Sequence, residues 1–276
     1  MLDEVLLNED AAAAGFRVRC FDVVDSTNRI IKEAIRAGEP EGLVACALEQ
    51  DAGYGRMGHD WKSPYGGLYF SLLLKPGTLH GTLPTLSHMS ALALCDALSS
   101  FDADLSEALR IKWPNDVMCA HAKLAGISLE QVDDAVCVGV GVNVFQPADP
   151  KESNVGGKYV PSYLADFFHG GVPARVEPMG LSQSQKQLFE QILARFFPCF
   201  SARYAQWRDG GFESLREDYL ARLNHLGQEV TVENLAGEFF ATGKVVNVNE
   251  QGQLVLRDER GEYLTVSAGE VHLRIG

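Results

Sequence analysis

The stretch Lys112-Trp113-Pro114-Asn115-Asp116-Val117-Met118-Cys119-Ala120-His121-Ala122-Lys123-Leu124-Ala125-Gly126-Ile127 reads as two short apolar runs folded back on each other through a tight turn. Its polar residues gather at the strand ends, so the hairpin brings two lysines, Lys112 and Lys123, near the carboxylate of Asp116. Such a group can neutralise phosphate charge and steer an amine nucleophile. A solvated surface hairpin carrying an ordinary ion pair is the plainer alternative.

Apolar runs around Leu109, Leu124 and Val138 surround this hairpin and read as neighbouring strands. Toward the N-terminus, Phe16–Val24 alternates like a strand, Asp25-Ser26-Thr27 offers helix-capping side chains, and NRIIKEAIRAG continues as a helix ending at Gly38. Leu43–Leu48 and Leu68–Leu74 read as buried strands, and Leu83–Leu98 has helical periodicity. Toward the C-terminus, a Gly- and Pro-rich loop over 170–180 precedes amphipathic stretches at Gln183–Trp207 and Phe212–Leu223. The expectation is an α+β domain with a mixed sheet over residues 1–223. After Asn224 short alternating runs, EVTVEN, FFATGKVVNV, QLVLRD and YLTV, predict a small antiparallel barrel or sandwich over 224–276.

Three more segments carry candidate chemistry. Gln50 opens a glycine-rich stretch, Gly53-Tyr54-Gly55-Arg56-Met57-Gly58-His59-Asp60-Trp61-Lys62-Ser63-Pro64, whose backbone can close over an anion with Arg56 as a phosphate-binding guanidinium. Its spacing matches neither a P-loop nor a dinucleotide fingerprint, so a surface loop is an equal reading. Gly139-Val140-Gly141-Val142-Asn143 permits close approach of a ligand or a strand, and Ser26-Thr27-Asn28 is either a helix cap or a binding group.

Composition sets limits. With 24 basic against 37 acidic residues the formal charge is -13, which disfavours nucleic acid and anionic membrane as partners and makes any phosphate site a local basic cluster. The six cysteines form no C-x-x-C pair and read as buried thiols of a reducing compartment. No apolar run approaches the ~20 residues of a membrane span, and the first residues lack signal or transit features, so a cytoplasmic location is expected.

Taken in order, these segments resemble the catalytic domain of biotin–protein ligases. Asp25-Ser26-Thr27-Asn28 matches the family's D-S-T-N, and residues 53–64 its G-R-G-R-x-G-R-x-W-x-S-P loop. Lys112–Asp116 matches K-W-P-N-D, Lys123–Ile127 matches K-L-A-G-I, and Gly139–Asn143 matches G-x-G-x-N. The C-terminal runs look like the family's small SH3-like domain. The resemblance implies a catalytic fold shared with class II aminoacyl-tRNA synthetases. It also implies a two-step reaction in which biotin and ATP give biotinyl-5′-adenylate, whose acyl group then passes to a lysine of a biotin carboxyl carrier domain.

It further implies catalytic roles for Arg56, Lys112, Asp116 and Lys123, with Mg²⁺ on the ATP phosphates and no dedicated protein metal cluster. Ser26, Thr27 and Gln50 would face the ureido ring, with Asn28 beside them in the binding site. Gly53, Tyr54, Gly55, Arg56 and Trp61 would cover the adenylate, and Lys123, Gly126, Gly141 and Asn143 would complete the binding site. The segment from Asp51 to Lys62 is expected to order on ligand binding. Tyr54 and His59 stand where the family commonly has arginines, so the loop carries less fixed positive charge, part of it restored when His59 is protonated.

About twenty residues precede Asp25, fewer than a helix-turn-helix needs, so an enzyme without a DNA-binding role is expected; whether it forms a homodimer is open in the sequence. Lipoate–protein ligases share the fold, but their R-R-x-x-G-G-G-x-V loop does not occur here. A catalytically dead biotin sensor is disfavoured by the presence of Arg56, Asp116 and Lys123.

Overall fold

Alternating side chains at Arg17–Val24 form strand β1, which pairs in parallel with β2 (Leu43–Gln50). The computed structural model describes residues 1–55, 61–77, 80–153, 160–167, 172–177, 180–234 and 237–273. Between these strands runs helix α2 (Thr27–Arg36), preceded by α1 (Glu4–Ala12). Strands β3 (Gly67–Leu74), β4 (Leu109–Lys112), β5 (Asp116–Cys119), β6 (Ala122–Val132) and β7 (Ala135–Asn143) add antiparallel pairings. The result is a seven-stranded mixed sheet of order β1-β2-β3-β7-β6-β5-β4.

Every residue of β3 is buried because both faces of the sheet are covered. Side-chain alternation sends Leu68, Phe70, Leu72 and Leu74 into the large core, where α3 (Leu86–Ser99) packs on α5 (Gln183–Gly210). Leu73 goes to the opposite face, against Ile31, Ala34 and Ile35 of α2. Ser71 lies on that second face too, which is why the one serine of the run meets the start of α2. Helix α5 begins with a capping box between Ser182 and Gln185, and its buried Phe189, Phe196, Phe197 and Phe200 each contribute roughly 1.5–3 kcal/mol of burial.

The short helix α4 (Ala103–Ala108) packs on α3 and β5, and α6 (Arg216–Arg222) braces the edge strand β4. Phe212–Leu215, which the sequence suggests as the start of a single helix to Leu223, is a 3₁₀ turn leading into α6. The described cysteines are all free; five are buried as expected and Cys199 is half-buried. No helix among the described residues is long and apolar enough to cross a membrane.

The C-terminal runs become β8 (Glu229–Glu233), β9 (Phe239–Val248), β10 (Leu254–Arg257), β11 (Tyr263–Val266) and β12 (Glu270–Leu273). They pair antiparallel in the order β11-β10-β9-β8-β12, a separate five-stranded sheet. It touches the larger sheet at a chemically loaded point. The Trp113 indole donates to the Gly252 carbonyl at 2.8 Å, in the turn between β9 and β10.

Candidate active site

Strand register builds the site. Lys112 stands opposite Asp116 across β4–β5, Asp116 opposite Gly126 across β5–β6, and Gly126 opposite Gly141 across β6–β7. The β5–β6 hairpin closes through Ala120 and His121, both at positive φ (47° and 68°), the two-residue turn whose twist suits a hairpin. The turn folds β6 back over β5, and Lys123 Nζ meets Asp116 Oδ1 at 2.8 Å. Their side chains are 16% and 14% exposed, so the pair is largely withdrawn from solvent. Lys123 Nζ also lies 5.0 Å from the centroid of the Trp61 ring, within cation–π range.

Trp61 lies across the glycines of β6 and β7. A methyl group at Gly141 would come within 2.8 Å of the Trp61 Nε1, and one at Gly126 within 3.1 Å of its ring. The glycines therefore make a flat floor for the indole, so what approaches them closely is a side chain of the same chain. The indole N–H is buried and has no hydrogen-bond partner among the described residues. Two residues before Gly141 on the same face, a methyl at Gly139 would meet Asn28 Oδ1 at 2.3 Å, so this glycine gives room to the start of α2.

At that helix start Ser26 is buried yet makes no capping bond through its side chain. The capping task falls to Gln50, whose Oε1 accepts from the Thr27 amide at 2.8 Å and from the Thr27 hydroxyl at 3.1 Å. Gln50 Nε2 donates to Ser63 Oγ at 2.8 Å. Ser71 Oγ stands 2.7 Å from Thr27 Oγ1 and 2.6 Å from Asn28 Oδ1, and Asn28 Nδ2 donates to Ser128 and Glu130 at 3.2 and 2.9 Å. Asn28 is thereby committed to protein partners, while the Ser26 hydroxyl stays available.

The glycine-rich segment is held at both ends. Gln50 and Ser63 form an antiparallel bridge, and the Trp61 amide donates to the Gly53 carbonyl at 3.4 Å. Gly53 fits because a side chain there would strike Ser63 Oγ at 2.3 Å. Tyr54 donates its hydroxyl proton to Glu130 at 2.8 Å, and Gly55 follows it. Arg56 and His59 lie outside the described residues. Asn143 donates to the Lys123 carbonyl at 3.1 Å and fixes the backbone that carries the lysine.

Lys112 is buried at 3% exposure, which pushes its ammonium down to about 8; Asp116 and Glu270 act in the opposite direction, and Lys123 adds to the lowering. Asn115 holds the hairpin by donating to the Ile127 carbonyl. Ser63 and Asn115 belong to this arrangement and lie within the motifs the sequence singles out, whereas Lys32, Ser71 and Glu130 lie outside them. Ser71 carried a signal, as the one serine inside LYFSLLL.

Known proteins resemble the chain over most of its length. Residues 20–143 match the model of the biotin/lipoate A/B protein ligase family, and residues 225–274 match the biotin protein ligase C-terminal domain. The chain is 31% identical over 99% of its length to a biotin–[acetyl-CoA-carboxylase] ligase of Mycobacterium tuberculosis, covering 96% of that protein. It is 32% identical over 90% of its length to the protein of the same name from Paracoccus denitrificans, again covering 96%. A solved biotin protein ligase from Aquifex aeolicus, in complex with biotin and ATP, superposes with a TM-score of 0.73 at 26% identity, over 94% of this chain and 99% of that one. The chain belongs to the biotin protein ligase family.

Proposed function

We propose that the chain activates biotin with ATP and ligates it to a lysine of a biotin carboxyl carrier domain in a biotin-dependent carboxylase. The observation that carries this reading is the Lys123–Asp116 pair set beside Trp61 on the Gly126–Gly141 floor. In the first step a biotin carboxylate oxygen attacks the α-phosphorus of ATP and the bond to pyrophosphate breaks. Two anions must approach each other, so the step needs fixed positive charge. Lys123 and Lys112 supply it from the hairpin, with Arg56 assigned the same task from the glycine-rich segment.

In the second step a carrier lysine attacks the acyl carbon as a neutral amine and AMP leaves with the bonding pair. When substrate draws Lys123 away, the Asp116 carboxylate is free to orient the amine and accept its proton. The Ser26 hydroxyl and the second Gln50 Nε2 hydrogen suit the ureido group, and Trp61 covers the bound acyl chain. No group of three or more His, Cys, Asp or Glu that could hold a metal occurs among the described residues. Mg²⁺ bound to the ATP phosphates would offset their charge. The same reading divides the chain into a catalytic part, 1–223, and a C-terminal part, 224–276, and places it in the cytoplasm.

Biotin-dependent exchange of labelled pyrophosphate into ATP tests the proposal. Exchange that needs biotin is expected; exchange without biotin, or with lipoate in its place, would assign the site to another acid.

A further inference from the structure

The start of α2 and both ends of the glycine-rich segment converge on one carboxylate. Glu130, on β6, accepts through Oε1 from Asn28 Nδ2 at 2.9 Å and from the Tyr54 hydroxyl at 2.8 Å. Its Oε2 accepts from Lys32 Nζ at 2.6 Å. Asn28 and Lys32 are one helical turn apart on α2 and so reach the same point, and Lys32 Nζ also lies 5.3 Å from the Tyr54 ring centroid. From Asn28 the contacts run on through Ser71, Thr27 and Gln50 to Ser63. Tyr54 ties the front of the segment directly to Glu130, and this polar chain ties its rear.

A carboxylate suits the position physically. It accepts on every lone pair, so one group can accept hydrogen bonds from an amide, a phenol and an ammonium together. The amide of Asn28 then has one orientation, since Nδ2 must face Glu130 and Oδ1 must face Ser71. That orientation propagates to Thr27 and Gln50. Tyr54, which replaces an arginine of the family pattern, exchanges a charged side chain for a fixed tether.

We infer that Glu130 is a positioning residue of the ligase reaction: it aligns Thr27 and Gln50 for the ureido group through Asn28, and Tyr54 and Lys32 hold its carboxylate in place. The inference rests on the biotin ligase reading. Glu130 touches neither substrate, and its influence falls on biotin rather than on ATP.

The test uses the full chain and pyrophosphate exchange, with KM for biotin and for ATP measured separately. Glu130→Gln keeps an acceptor for Asn28 but sets an amide N–H₂ against Lys32. KM for biotin should rise by about tenfold or more while KM for ATP stays within about twofold. Tyr54→Phe, which removes one hydroxyl and leaves the core intact, should give a smaller rise in the same constant. Parental KM for biotin in both variants overturns the inference, and so does a parallel rise in both constants with a lowered unfolding midpoint, the mark of a merely structural role. A parent chain without biotin-dependent exchange removes the ligase reading itself, a result distinct from unchanged constants in the variants of an active parent.

Discussion

Lys123 Nζ and Asp116 Oδ1 stand 2.8 Å apart on adjacent strands, a cation and an anion each less than one-fifth exposed. Their mutual neutralisation lets both charges stay in a nearly dry site until substrate arrives. In the proposed reaction the first step would draw on the cation and the second on the anion, so one pair would serve both halves.

Replacing Lys123 with Ala should slow biotinyl-adenylate formation by ~10²-fold or more, the loss typical of a preorganised charge stabiliser. Asp116→Asn should spare that step and slow transfer to the carrier lysine. Single-turnover measurement of each half-reaction separates the two. Equal damage to both steps by both variants would show that the pair acts only as a structural tie.

Lys112 links activity to pH. Burial lowers its pKa from the usual 10.5 to about 8. Between these values the unfolded chain binds the proton and the folded chain does not, so this lysine's effect on stability favours folding increasingly as pH rises. Below about 8 both states hold the proton and that gain is absent. Its catalytic charge follows the opposite course and is lost above about 8. Adenylate formation should therefore decline through that range without loss of folded protein, and Lys112→Met should lower the rate and remove the alkaline limb. Denaturant midpoints measured beside the rates distinguish the effects.

The floor of the site is intolerant of side chains. Gly141→Ala would place a methyl within 2.8 Å of Trp61 Nε1 and lift the indole from the sheet. KM for biotin should rise by roughly tenfold, because the wall of the acyl site moves while the polar groups remain. Titration of Trp61 fluorescence with biotin, in a background where Trp113 and Trp207 are Phe, reports the altered contact.

Coupling between the two sheets is tested at Gly252. Its φ is +75°, and a methyl there would stand 2.7 Å from Thr85 Cγ2 and 3.2 Å from the His88 ring. Gly252→Ala should cost roughly 1–3 kcal/mol in denaturant unfolding. It should also lower the adenylation rate, since the Gly252 carbonyl holds Trp113 next to Lys112.

Much of this architecture was legible because period and punctuation agree. FFATGKVVNV runs over the full length of β9, and the hairpin at Lys112–Ile127 has its lysines and carboxylate at strand ends as read. Helix α1 was not read, because MLDEVLLNEDAAAAGF lacks a clean apolar stripe; Leu7 and Ala11 are its buried positions. Strand β12, EVHL, was not read either. The Glu130 cluster was out of reach for another reason. Its members are 28, 32, 54 and 130, and nothing local in the chain announces that a carboxylate on β6 lies against a helix about a hundred residues earlier. Asn28 shows the same limit: its motif suggests a ligand contact, while its amide is taken by Ser71, Ser128 and Glu130.

The Lys123–Asp116 site is proposed to make an acyl-adenylate and pass the acyl group to a carrier lysine. Intact-mass analysis of an apo carrier domain after incubation with the chain, biotin, ATP and Mg²⁺ tests it most directly. The account predicts addition of one biotinyl group, at a single lysine, dependent on both biotin and ATP and lost in the Lys123→Ala variant. A carrier left unmodified by a folded chain, or modified equally by Lys123→Ala, would contradict it.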